Sequence, residues 1–334
     1  MSITTTTATE GGHWYTRGGE QIDTVQAKNG NARRPTVRDA RKHGWLPGCT
    51  TIVKCAAAPA LTMWQAKETV RACAELGPPM MTIADGKPMM VETFEDYRRR
   101  VAARVAAITE HAREIGTEVH GNFHRYVSDA TFRKQEQQKA MFMEGGETPV
   151  TAIWKTLHEF VLDWNLMVER QAMVDATMRD ATKVEPDVPK WLHHLEDITQ
   201  AWFEQPDFDD FRRWRSEDPV VHPLGFATKA DLWTPEGGGW LFDFKGKRRP
   251  EDLTATTYEQ HHLQLAATRE AIHYTHGVDI PPEQCRIIYF SREDGYEAQV
   301  TAACGDDIRR GWQMFCGLHA YWASRANHFP GWED

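Results

Sequence analysis

The chain has 334 residues, 41% hydrophobic and 26% charged, and a formal net charge of −9. That length builds one large domain or two small ones around a sizeable core, and the composition is ordinary for a globular protein in water. An acidic total excludes a generic polyanion binder, and no apolar run approaches a membrane span; the six scattered cysteines contain no CxxC, so their spacing offers neither a zinc ribbon nor an iron–sulfur cluster.

In chain order, Met1–Gly12 is rich in Thr and Gly and lacks the apolar stretch of a secretory signal, so it reads as a disordered tail. The thiols then read as reduced and mostly buried, in a cytoplasmic protein. Gly30–Gly44 is polar, basic and poor in apolar residues, which predicts a loop or arm. Trp45-Leu-Pro-Gly-Cys-Thr-Thr51 leads into a helix that Thr50 or Thr51 is placed to cap, and Pro59 breaks or restarts it ahead of Leu61, Met63, Trp64 and Ala66. Leu76–Pro88 carries Gly-Pro-Pro and Asp-Gly signals and reads as a connection.

Phe94–Val127 is strongly helical. Val101, Val105, Ile108, Ile115, Val119 and Phe123 fall on one face, so this is one long helix or two meeting at Gly116-Thr117. Pro149–Glu169 is a second amphipathic helix. Ala172–Asp210 is less patterned, with a short helix expected around Trp191–Phe203. Arg212–Val221 is expected to be extended. Pro250–Thr257 is a loop, and Tyr258–His276 a helix stopped by Gly277 and Pro281-Pro282. Cys285–Phe290 and Tyr296–Thr301 are strands turning at Glu293-Asp294-Gly295, and Asp306–Ala326 is a last helix. There is no internal repeat. The sum is an α/β protein with a mixed sheet of three or four strands flanked by helices on both faces. After the tail, residues 13–334 form one domain, mainly helical over 13–210, with the strands in 211–334.

The chemistry concentrates in Gly225–Lys247, GFATKADLWTPEGGGWLFDFKGK, which reads as two strands joined by a Gly-rich turn. Asp243 and Lys245, two apart, share a face, while Trp240, Phe242 and Phe244 take the other. With Asp231 on the first strand, two carboxylates and a lysine stand on one polar face, which suits a divalent ion and an activated water. Taken alone, Asp-x-Lys is equally a surface ion pair. Three basic clusters stand out: Lys28–Lys42, Arg98–Arg100 with Arg104, and Lys245–Arg249. Each taken singly reads as a solvated face.

At these residues the chain resembles the PD-(D/E)xK nuclease superfamily, in its RecB-like and phage-exonuclease branch. GFATKADLW leading to WLFDFKGK is similar to the catalytic hairpin. IGTEVHGNFHRYV (Ile115–Val127) is similar to the helical Gly-Thr-x-x-His motif, YEQHHLQLAATREA (Tyr258–Ala271) to the helix with a Gln motif, and LPGCTTIVKCAAAPALTMW (Leu46–Trp64) to the opening segment. The four occur in family order. Asp231 follows Lys229-Ala230 rather than a hydrophobic-Pro pair, and Thr268 stands where the family has an aromatic.

The resemblance implies a restriction-endonuclease-like core and a Mg²⁺ or Mn²⁺ site held by His120, Asp231, Asp243 and the backbone carbonyl of Phe244. It gives Lys245 the attacking water and sets Gln264 along the DNA or beside Lys245. Glu118 and Glu217 fall near the metal. Thr50, Thr51, Trp64, Lys247, Arg248, Arg249 and Tyr258 would contact substrate. No iron–sulfur cluster is implied, because the cysteine spacing of the relatives that bind one has no counterpart. The expected activity is exonucleolytic hydrolysis of DNA in phage or prokaryotic recombination or repair, in a bacterial or phage-infected cell. The expected partners are DNA, further copies of the chain or a single-strand-annealing protein, and no membrane. The alternatives are an endonuclease on the same fold and a non-catalytic DNA-binding accessory protein.

Overall fold

The structure, a computed structural model, describes residues 12–56, 59–84, 87–142, 148–161, 167, 213–235, 239–247, 253, 257–291, 298–301 and 305–331; for 59–65, 81–84, 87–90 and 301 it describes the backbone alone. The expected tail residues 1–11, the helix around Trp191–Phe203 and the turn at 293–295 lie outside the described residues.

The chain opens with strands β1 (Trp14–Tyr15), β2 (Gln21–Ile22), β3 (Val25–Gln26) and β4 (Ala32–Arg33), helix α1 (Val37–His43), strand β5 (Leu46–Pro47) and helix α2 (Cys49–Val53). Next come α3 (Pro59–Leu76), the hairpin β6 (Met81–Ala84) and β7 (Lys87–Met90), α4 (Phe94–Ser128), α5 (Ala130–Phe142) and α6 (149–161). The remainder is β8 (Arg215–His222), β9 (Phe226–Thr234), β10 (Trp240–Lys247), α7 (Glu259–His276), β11 (Cys285–Ser291), β12 (Ala298–Thr301) and α8 (Gly305–Ala326).

The central sheet has five strands, in the order β12-β11-β10-β9-β8. β10 and β11 are parallel and every other pair is antiparallel. A parallel neighbour needs a crossover, and α7 supplies it. Both faces of the sheet are buried. Leu241, Ile287 and Tyr289 pack with α2, α7 and α8, while Phe242, Phe244, Ile288 and Phe290 pack with Phe123 of α4 and Leu157 of α6. Gly311 lets α8 lie against α7, since a Cβ there would stand 2.9 Å from the His262 carbonyl oxygen. The fold is mixed α/β, with helices on both sides of a mixed sheet. No helix among the described residues is long and apolar enough to cross a membrane, and none of the described cysteines forms a disulfide.

Several local expectations are corrected. The arm expected over Gly30–Gly44 contains α1, whose N-cap Thr36 forms a capping box with Asp39 and whose end is Gly44 in the left-handed region. Its single buried residue, Ala40, gives no apolar period to read. The connection Leu76–Pro88 holds most of the β6–β7 hairpin. The N-cap of α2 is Gly48, not Thr50 or Thr51, and Thr51 Oγ1 instead accepts the His13 N–H at 3.0 Å. At Gly116-Thr117 the expected alternative of one long helix is the one formed: α4 runs unbroken, with Thr117 Oγ1 donating back to the Arg113 carbonyl, at the cost of about 1 kcal/mol for a mid-helix glycine. The sheet has five strands rather than three or four.

Burial also sets a pH dependence. His222 stacks on Phe226, meets Tyr274 and Trp312 edge-on, and accepts the Leu224 N–H at Nδ1. Burial, then His319 and His273, lowers its pKa to about 4. Below the unfolded value of 6.5 the unfolded chain takes up a proton that the folded chain refuses. Stability is therefore full above that pH and falls as pH drops towards 4, by roughly 1–2 kcal/mol after allowing for solvent at the ring. Urea unfolding from pH 7 to 4 should show this slope, and His222→Asn, which keeps an acceptor, should flatten it; equal slopes would refute the assignment.

Candidate metal centre

The site forms where the ladder between β9 and β10 stops. The strands pair Trp240 with Thr234, Leu241 with Trp233 and Phe242 with Leu232. The next rung would set Asp243 against Asp231. Instead the Asp231 carboxylate takes the Phe244 N–H at 2.8 Å, and from Asp243 onward β10 pairs with β11 alone. A side chain has replaced a backbone carbonyl, so the two strands part.

β8 adds a kink at the same level. Regular rungs join Ser216 to Leu232 and Asp218 to Ala230, but none joins Glu217 to Asp231 between them. Glu217 has φ 53°, in the left-handed region where a glutamate costs about 1 kcal/mol or more. The kink changes which residues face which core. Trp214 and Leu232 belong to the α4 side, whereas Val220, Phe226 and Ala230 belong to the α7–α8 side. Glu217 and Asp231 thus stand side by side, facing α4.

α4 answers with His120. Its Nδ1 lies 3.4 Å from Glu217 Oε1 and 3.6 Å from Asp231 Oδ1, and its ring rests edge-on against Phe244. One ligand atom from each of His120, Glu217 and Asp231 lies within 4.8 Å of the others, as a single ion requires. Their side chains are 25%, 26% and 12% exposed, so the group is recessed yet reachable.

Asp243 stands outside that trio. It is buried and holds Lys245, whose Nζ is 2.8 Å from Oδ1 and 2.7 Å from Oδ2. Burial raises the Asp231 pKa to about 6; His120 opposes this and Asp243 adds to it. Burial pulls His120 down, but Asp231 and Glu217 overcome it and lift it to about 9. Glu217 is penalised by burial and still lies below its ordinary value because of His120. Lys245, likewise penalised, is kept an ammonium by Asp243 and Asp231.

Three carboxylates therefore face three cations: His120, Lys245 and, against Glu217, the more exposed Lys229. A divalent ion can take the place of the imidazolium proton between Glu217 and Asp231. The donor set of one imidazole and two carboxylates suits Mn²⁺ or Mg²⁺, the nitrogen favouring Mn²⁺. The residues present fit such an ion. Relative to the sequence reading, Glu217 joins His120 and Asp231, and Asp243 pairs with Lys245.

The other expected residues lie as follows. Glu118 is exposed and outside the trio. Lys245 is bonded to Asp243 and not to Gln264, whose carbonyl accepts from Thr268 Oγ1. Thr50 and Thr51 sit within α2. Lys247 Nζ lies over the rings of Tyr258, at 4.4 Å, and Tyr289, at 4.2 Å. Arg248, Arg249 and the side chain of Trp64 lie outside the described residues. The second basic cluster is spent on ion pairs: Arg98 and Arg99 with Glu95, Arg100 with Glu92, and Arg104 with Glu75. In the first cluster Arg33 pairs with Asp39.

Sequence reasoning passed over two neighbours of the site. His124 Nδ1 lies 3.0 Å from the Ser216 carbonyl, tying α4 to β8 one turn beyond His120. Lys229 Nζ lies 3.7 Å from Glu217 Oε2. Both were legible by spacing, four residues from His120 on a helix and two from Asp231 on a strand.

Glu217 has a backbone that does not suit it, held for its carboxylate. Glu217→Asn, which tolerates the left-handed region, should equal or exceed the original protein in metal-free thermal stability, by up to about 1 kcal/mol. It should also weaken Mn²⁺ binding on the order of 10–100-fold in calorimetry. Unchanged Mn²⁺ affinity would remove Glu217 from the site. No known protein-family model matches the chain, and no curated protein matches it.

Proposed function

We propose that the chain is a metal-dependent deoxyribonuclease that hydrolyses phosphodiester bonds from DNA ends, on a restriction-endonuclease-like core of PD-(D/E)xK type. The observation that carries this reading is the recessed trio His120, Glu217 and Asp231 beside the Asp243–Lys245 pair at a strand fork. The motif order from Leu46 to Tyr289 supports it. A role in phage or prokaryotic DNA recombination or repair belongs to the same proposal.

In this reading His120, Glu217 and Asp231 would hold a Mn²⁺ or Mg²⁺ ion, which would supply polarisation of a phosphoryl oxygen and a more acidic water. Lys245 donates from a fixed ammonium to the attacking water or to the oxygens where charge builds. Asp243 aims that ammonium and keeps it charged. Lys245 is thus an orienting donor rather than a base. The recess restricts the site to a strand that can leave its duplex, which favours an end over the middle of a helix.

End-labelled linear DNA and closed-circular DNA, each with Mn²⁺ or Mg²⁺, test the reading. Linear DNA should be degraded and the circle spared. Asp243→Ala and Lys245→Ala should each lower the rate by about 10²–10³-fold or more with the fold kept. Full activity in both variants would sink the assignment, and cutting of the circle would make the protein an endonuclease.

A further inference from the structure

The N-terminal strand β1 supplies a side chain that this chemistry has not yet used. Tyr15 pairs with Leu46 of β5, and its ring packs with Leu46, Ala227 and Val221. Only 5% of the residue is exposed. Among the described residues its hydroxyl makes no hydrogen bond, whereas a buried tyrosine usually finds a partner for its O–H.

The seat of that ring is built. Gly48 donates its N–H to the His13 carbonyl at 2.7 Å and bridges in parallel to Ala227 of β9. A Cβ at position 48 would stand 2.9 Å from the His13 Cβ and 3.2 Å from Tyr15 Cε2. Only a glycine lets β1 and β5 close on β9 here.

Tyr15 pairs with Leu46 while its Cε2 lies beside Gly48, and that segment runs parallel to β9, so the phenol points along β9 towards Lys229. Val221 opposite Ala227, then Pro219 opposite Lys229, lead along one face to Glu217 and Asp231. From Ala227 to Asp231 is roughly 13 Å of strand, with Lys229 midway. A tyrosine seated on Ala227 covers about half of that. Burial, then the charges of Cys49, Glu217, Asp23 and Asp231, hold the phenol well above its ordinary pKa. The hydroxyl therefore keeps its proton and stands in the field of the two carboxylates without bonding either. The hydroxyl is not one of the side-chain atoms buried without a partner, and it is left to donate to an oxygen that enters the site.

We propose that Tyr15 is a substrate-contacting residue of the metal centre, its hydroxyl donating to a non-bridging phosphate oxygen of the bound strand beside Lys229. The inference rests on the nuclease reading and deepens it by making the N-terminal sheet one wall of the site. A neutral donor suits that wall, because Lys229 beside Glu217 already supplies its positive charge.

The test uses the full chain and Tyr15→Phe. Loss of the hydroxyl leaves no protein group unsatisfied, so the thermal midpoint and the Mn²⁺ affinity should match the original protein. Binding of a short single-stranded oligonucleotide in Ca²⁺, and Mn²⁺-dependent kcat/KM, should each fall on the order of 10-fold to 100-fold. p-Aminophenylalanine at position 15, which keeps a donor, should restore binding, and O-methyltyrosine, which has none, should not. An original protein that neither binds the oligonucleotide nor cleaves DNA overturns the nuclease reading and this inference with it. An active protein whose Tyr15→Phe variant binds and cleaves equally well overturns the inference alone.

Discussion

One hydrogen bond sets the geometry of this protein: the Phe244 N–H given to the Asp231 carboxylate. In a continuous hairpin that N–H or its neighbour would serve the ladder, and β9 and β10 would stay zipped. With a side chain as acceptor, the ladder ends one rung short of the two aspartates. β10 is then free to follow β11, and the space between the strands is lined by carboxylates rather than by backbone. The aromatic residues on the other side, Phe242 and Phe244 against Phe123, hold the fork open by fixing β10 to α4.

The fork carries an electrostatic cost. Burying like charges raises the Asp231 pKa, and the chain meets the excess with an imidazolium and an ammonium. It also accepts a glutamate at φ 53° to bring the third carboxylate round. A fold selected for stability alone would have a glycine or asparagine at 217 and an apolar residue at 231. Backbone strain at Glu217 and crowded carboxylate charge at Asp231 thus fall in one cluster, and a cation would relieve the charge.

Much of this was legible in the residues. The hairpin, α7 with its Gly277 stop, β11 and α8 all have long, regular apolar periods, and their limits agree with the structure to within a few residues. His120 and Asp231 were readable as partners because motif order linked them. The short N-terminal strands were not readable, since two residues have no period and their pairing joins distant parts of the chain. α1 was hidden because its start signal uses Asp39 where a Glu or Gln is usual and it buries little. Glu217 could be noticed but not ranked: a backbone dihedral, invisible in sequence, turns it toward His120. The arginines of α4 illustrate the reverse case, a visible charge run that the folded chain spends on its own acids.

Trp14 packs against Trp322, and Arg17 donates to the carbonyl of Pro330, a separation of 313 residues. The core that seats β1 on the sheet is thus closed by α8, far from β1 in the chain. Until α8 has been made, Trp14 has no Trp322 to pack on, and contacts closed over such a span form slowly. The N-terminal sheet therefore reaches its final seat only once α8 has folded against it.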